Sequence, residues 1–418
     1  MIKRHAMQRL LPLSLLALAA LGLAGCMTYE ERPVVPIVAQ KATAEVPQDE
    51  LLDVGVRLFD PNIPADEKEQ EKRGIYPDVR NAESRYMATL LRDTLEGTGQ
   101  WGQVRVLPHD GSGMDVMVGG RILESTGRDL QLELQATDAT GRVLLKKTYA
   151  GVADLRAYKD VPSKPRDPFD NVYNSFANDL LAARNKLTRE QKVAVHQVNN
   201  LRFASDLAPY AFAPYLAKDK QGLYQVTRLP AEDDPVVQRM DRIRERDYSL
   251  IDTLNEHYTN FGQSMDEAYT NWRKYSHEEI EQVEEAKRKA LTRQVLGAAA
   301  VVAGVLVDAN NGGSSSIESA ATTAAIIGGI YAFKSGLDMR SEIKMHSESL
   351  KQLGQSFQSE VQPIVVDIEG RTLQLKGSAE DQYAEWRRLL KELYENETGL
   401  PASTAAAAAG TAAPAGKP

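Results

Sequence analysis

Leu130-Gln131-Leu132-Glu133-Leu134-Gln135-Ala136-Thr137 decides how the first half of the chain is read. Apolar and polar residues alternate without a break, so Leu130, Leu132, Leu134 and Ala136 point to one face and their neighbours to the other. This is the period of a half-buried strand. Asp138-Ala139-Thr140-Gly141 follows as a turn, and Val143, Leu145 and Tyr149 keep the period in a returning strand. Upstream, residues 54–59, 103–107 and 115–123 read as three further strands, with Gly119-Gly120 suggesting a bulge in the third. A helix over residues 81–95 ends at Gly97 and Gly99. Downstream, Phe169, Val172, Tyr173, Phe176 and Leu180 form one helical stripe, read as core, and Thr188 with Gln191 fits a capping box for another helix through Leu201. The order β-α-β-β-β-β-α predicts an α+β domain over residues 51–205, an antiparallel-dominated sheet with helices.

Beyond it, residues 206–234 are aromatic and proline-rich and read as a packed linker. Asp234-Pro235 supplies an N-cap and a proline at the first helical position. A long helix follows, whose residues 247–291 carry dense charge of mixed sign, the composition of a solvated arm. Residues 296–307 then carry no charge, residues 308–316 break the helix, and residues 320–333 form a second uncharged block. The expectation is a long helical hairpin over residues 235–360 with an apolar Ala/Gly tip. Ala320, Ala324, Gly328, Ala332 and Gly336 recur every four residues, as do Ala300 and Gly304 on the first arm. Residues at that spacing share a helix face, so they make a seam on which two helices can approach closely. Each block is shorter than the roughly 20 apolar residues that span a bilayer. The seam therefore fits a tip that dips into a membrane or joins copies of the chain, and equally a soluble hairpin. A small ββα module closes the fold over residues 361–398, with Tyr383, Trp386, Leu389, Leu390 and Leu393 on its helix face, before an Ala/Pro tail over residues 399–418.

The start of the chain addresses it. Lys3, Arg4 and Arg9 precede a short apolar block that ends in Leu23-Ala24-Gly25-Cys26, a secretory leader over residues 1–25. Cys26 is the only cysteine of 418 residues. The stretch resembles the lipobox of bacterial lipoproteins, which implies that Cys26 becomes the first mature residue and carries acyl chains into the membrane. Met27 after it, rather than Asp, implies outer-membrane sorting by the rule of that family. Residues 26–50 then read as a lipidated tether. Loss of Lys3, Arg4 and Arg9 takes the formal charge from −8 to −11, a balance that argues against nucleic-acid binding.

Catalytic signals are missing. The six histidines are scattered, His277 and Glu281 at i,i+4 read as a solvated pair, and Gly262-Gln263-Ser264-Met265-Asp266 lacks the second glycine of a nucleophile elbow. Asp308-Ala309-Asn310-Asn311-Gly312 lacks the later carboxylates of a calcium loop. The chain is expected to be a non-enzyme with no catalytic residue, metal or cofactor.

The strand at residues 54–59, the helix ending Leu91-Arg92-Asp93-Thr94-Leu95-Glu96-Gly97-Thr98-Gly99 and the following Trp101-Gly102-Gln103-Val104-Arg105-Val106 carry a second likeness. With Gly120-Arg121-Ile122 and Asp138-Ala139-Thr140-Gly141 they resemble a periplasmic module. It is found in the Tol translocation protein's amino-terminal domain, the curli secretion lipoprotein and the lipoprotein activators of penicillin-binding proteins. The strand-turn-strand-helix at residues 364–394 is similar to half of a BON-type envelope domain. These likenesses imply protein–protein contact in envelope assembly and transfer no catalytic residue. The expectation is a membrane-anchored envelope lipoprotein facing the periplasm, a non-enzymatic binding or assembly accessory with an envelope protein partner and self-association as a homo-oligomer. The rival readings are a subunit of an oligomeric secretion channel and a cell-wall hydrolase built from dispersed acids.

Overall fold

The computed structural model describes residues 35–108, 113–153, 158, 167–231, 233–308, 364–368 and 371–398, with single positions between 345 and 355. The alternation at Leu130 is realised as β4 (Asp129–Asp138), where Leu130, Leu132, Leu134 and Ala136 are fully buried and their neighbours are not. It lies between β3 (Val116–Ser125) and β5 (Val143–Val152), antiparallel to both. Two shorter strands, β1 (Val54–Arg57) and β2 (Val104–Leu107), extend the sheet in the order β2-β1-β3-β4-β5, with β1 parallel to both neighbours. The long strands make the sheet mostly antiparallel, and the fold is α+β. β5 is an edge strand, and Val143 is exposed there despite its alternation.

The bulge expected at Gly119-Gly120 lies elsewhere. Those glycines stay in register with Gln135 and Leu134, and the register shifts between Ile122 and Glu124. Gly120 serves packing instead: a Cβ there would stand 2.5 Å from the ring of Phe59, which lies flat across the strand.

Helices α1 (Glu67–Lys72) and α2 (Pro77–Glu96) link β1 to β2. Proline at its N-terminus starts α2 four residues ahead of the expected Asn81. After β5, α3 (Asp170–Arg184) buries Val172, Tyr173, Phe176 and Leu180, and the expected capping box opens α4 (Arg189–Leu207) with both Thr188–Gln191 bonds in place. The segment expected to be irregular holds a one-turn helix, α5 (Pro209–Phe212), and a hairpin of β6 (Leu216–Lys218) with β7 (Tyr224–Val226). Tyr224 donates its N–H to the carbonyl of Thr140, tying the hairpin to the β4–β5 turn. Strands of three residues are too short to display alternation in sequence.

Helix α6 (Pro235–Asp308) runs unbroken for 74 residues, about 110 Å at the α-helical rise. Asp234 caps it by accepting from Val236 N–H at 2.8 Å. Its charge density does not make it a solvated arm. Met240, Ile243, Leu250, Ile251, Leu254, Tyr258, Phe261, Met265, Tyr269 and Trp272 are all buried, and so are Asp247, Asn255, Arg273 and His277. The contact is close at Gly127, where any Cβ would run into the carbonyl of Arg273. At the C-terminal end, β8 (Val365–Ile368) and β9 (Arg371–Gln374) form a hairpin, and α7 (Ala379–Thr398) buries Tyr383, Trp386, Leu390, Leu393 and Tyr394. One hydrophobic core runs from Leu52 through α6 to Tyr394. Residues 51–205 share this core with both later helical elements, and the described residues from Pro36 on form one compact unit.

Candidate functional site

The free edge of β2 meets α6, and between them lies a polar cleft of about 380 Å³. Arg92 and Glu96 reach it from α2, Val104 and Arg105 from β2 with Gln103 just before it, and Asp252, Asn255, Glu256, Thr259 and Asn260 from α6. A strand edge left bare is a template for unwanted pairing. α6 closes part of this one with a side chain: Asn255 Oδ1 accepts from Val106 N–H at 2.7 Å while its Nδ2 donates to Val106 O at 3.0 Å. Arg105 donates Nε and Nη2 to the two carboxylate oxygens of Asp252 at 2.6 and 3.0 Å, with its guanidinium 4.5 Å from the ring of Tyr248. Its third nitrogen, Nη1, is buried and has no partner among the described residues. Arg92 crosses the cleft floor to Thr259 Oγ1 at 2.7 Å.

Three buried polar clusters lie outside the cleft. In the first, Asp53 and Asp115 sit just before β1 and β3 and bind the chain across the gap, Asp53 N–H donating to Asp115 Oδ2 and Gln103 N–H to Asp53 Oδ1. His196 of α4 places Nδ1 2.9 Å from Asp115 Oδ2, and Asn199 donates to Asp115 Oδ1 at 3.1 Å. The bond to Asp115 raises the His196 pKa against its burial. The pair has the look of a catalytic dyad, but among the described residues no hydroxyl or thiol bonds to His196 Nε2. It docks α4 onto the strand ends.

In the second cluster, Glu83 of α2 accepts from both Ser125 and Tyr269 at 2.6 Å. Nearby, Arg273 is 2 % exposed, donates to Asp167 at 2.6 Å and lies over the rings of Phe169 and Tyr269. His277, read from sequence as solvated, is buried beside it with its ring against Tyr158, and contacts Glu281 at 3.3 Å. In the third, Asp247 of α6 is buried between the Tyr383 hydroxyl and Arg387 of α7, and Arg387 also pairs with Asp206 of α4. Burial outweighs Arg387 and pushes the Asp247 carboxyl up to about 6. All three clusters fasten helices to the sheet or to each other.

Among the described residues no group of three His, Cys, Asp or Glu side chains could hold a metal ion, and no helix is long and apolar enough to cross a membrane. Of the residues singled out from sequence, Ala300 and Gly304 lie on α6, one turn apart, within its last nine residues. Cys26, Ala320, Ala324, Gly328, Ala332 and Gly336 lie outside the described residues. Of the cleft residues, Arg92, Glu96, Gln103, Val104 and Arg105 lie in the stretches that carry the likeness to the periplasmic module, and the sequence assigns them no binding role. Asn255 and Val106 are 149 positions apart, and nothing local in either stretch marks the pairing.

No family model matches this chain, and no curated protein or solved structure matches it either.

Proposed function

We propose that this chain is a membrane-anchored bacterial envelope lipoprotein, held through Cys26 and facing the periplasm from the outer membrane. It acts there as a non-enzymatic binding or assembly accessory. The leader and Leu23-Ala24-Gly25-Cys26 support the anchor. The observation that carries the binding role is the single helix α6. Its first part is buried against the sheet domain as far as His277, and it continues without a break to Asp308. Its last turns, residues 296–307, carry no charge. A rigid helix seated in a core at one end and apolar at the other is a device for presenting a contact surface at a fixed distance from a body. The Ala/Gly seam of residues 300–336 would be that surface, joining copies of the chain or touching the bilayer.

The test uses the soluble Cys26→Ala variant. Gly328→Leu should weaken its self-association by sedimentation, or its flotation with vesicles, because a bulky side chain pushes a close-packed helix away. Ala309→Leu, in the polar connection, should leave both unchanged. A Cys26→Ala protein that is monomeric and indifferent to vesicles would remove the role assigned to the seam.

A further inference from the structure

The parity of the β1–β2 ladder tells which backbone groups of β2 point away from the sheet. Val54 sits opposite Val104 in a parallel pair and donates its N–H to Gln103 O at 2.8 Å. In that pattern residues 103 and 105 carry the bonds to Val54, so the N–H and C=O of Val104 and Val106 face outward. At Val106 the outward groups are taken by the Asn255 amide, in the arrangement a neighbouring strand's peptide would use. At Val104 they face the cleft, and no described residue bonds to them there. Arg105 also lines this cleft, on a side chain only 7 % exposed whose buried Nη1 has no partner among the described residues. A buried donor without an acceptor is costly, so an acceptor reaching it gains more than it would at the surface. The rim is acidic: Glu96 and Glu256 are exposed, whereas Asp252 is already paired with Arg105.

We propose that this cleft binds an extended, basic peptide segment of a partner protein. The segment adds to β2 at Val104, giving a C=O to the Val104 N–H and an N–H to the Val104 C=O. A second carbonyl oxygen of the segment accepts from Arg105 Nη1, and a Lys or Arg side chain lies between Glu96 and Glu256. Main-chain pairing at an open edge supplies the affinity and the acidic rim the choice of sequence. Asn255 sets the limit of the added strand, since the next outward position is already closed. The proposal is independent of the anchor at Cys26 and of the α6 tip.

The test pans a displayed library of random heptapeptides against the full-length protein and follows one enriched peptide in solution. Enriched sequences should be basic. Asn260→Trp, an exposed helix position on the cleft, should weaken binding by about tenfold or more. Val104→Pro, which removes an N–H that makes no ladder bond, should do the same. Hydrogen exchange reads the geometry: the bound peptide should slow the Val104 amide about tenfold and leave the Val106 amide, already held by Asn255, unchanged. Should Val104→Pro fail to fold, Asn260→Trp and the exchange pattern decide. The proposal is overturned if the library yields no enriched peptide, or if binding survives Asn260→Trp. It is equally overturned if the Val104 amide is already protected in the free protein and loses that protection when residues 399–418 are deleted, which would make the chain's own tail the occupant.

Discussion

Gly120→Ala and Gly119→Ala change adjacent positions of β3 by the same atom, and the fold requires opposite outcomes. A Cβ on Gly120 would stand 2.5, 2.7 and 2.7 Å from Cδ1, Cε1 and Cγ of Phe59. To restore an ordinary 3.4 Å contact the ring must retreat by about 0.9 Å. It has nowhere to go. Phe59 is 1 % exposed, its N–H donates to Ser84 O at 3.1 Å, and the Ser84 hydroxyl donates back to its carbonyl. Overpacking of this kind costs about 1–3 kcal/mol. A Cβ on Gly119 meets nothing within 4 Å. Both changes narrow the unfolded ensemble alike, a gain of about 0.4–1 kcal/mol, so this term cancels between them. The gap between the two variants is then the clash alone, about 1–3 kcal/mol, read from urea midpoints at unchanged slope. Gly119→Ala should equal or exceed the parent. Phe59→Leu should lose less in the Gly120→Ala background than in the parent, because the two changes share one contact. Equal stability of the two alanine variants would refute the strand phase and the place of Phe59.

Asn255→Ala should cost about 1–3 kcal/mol, since it strips both outward groups of Val106 of their partner, and it should speed exchange of the Val106 amide; unaltered exchange would mean that the amide does not close the edge. Asp247 has its pKa raised from 3.8 to about 6, so the stability it contributes is present below pH 3.8 and lost as pH rises through 6. Asp247→Asn should flatten the stability profile between pH 4 and 7 and gain on the parent by on the order of 3 kcal/mol at the upper end. Arg387, Asp206 and Tyr383 face this carboxyl, and a parallel profile for variant and parent would show that they hold it ionised throughout.

The elements legible in the sequence were those whose cause is local. β4 showed its face through strict alternation, and the capping box at Thr188 and the cap at Asp234 each lie within three residues. The stripes of α3 and α7 were legible because apolar residues dominate their faces. α6 hides its inner face because the buried positions Asp247, Leu250, Leu254, Tyr258, Phe261, Met265 and Tyr269 are interspersed with charged residues, and that charge reads as solvation of residues 247–291. Only tertiary packing distinguishes a charged helix with a buried stripe from a solvated one. The glycines at 119 and 120 suggest a local irregularity in the sequence, whereas the reason for Gly120 is a ring sixty-one positions earlier. The cleft had no sequence signature at all, because it is assembled from α2, β2 and α6 by pairings such as Arg105–Asp252, 147 residues apart.

The measurement that bears most directly on the proposed role is metabolic labelling with radioactive palmitate, followed by separation of membrane and soluble fractions. The wild-type chain should carry label and sediment with outer membranes, and Cys26→Ala should carry none and leave that fraction. A wild-type protein that stays unlabelled, or a Cys26→Ala protein that remains in the outer membrane, would contradict anchoring through Cys26 and with it the proposed place of this protein in the envelope.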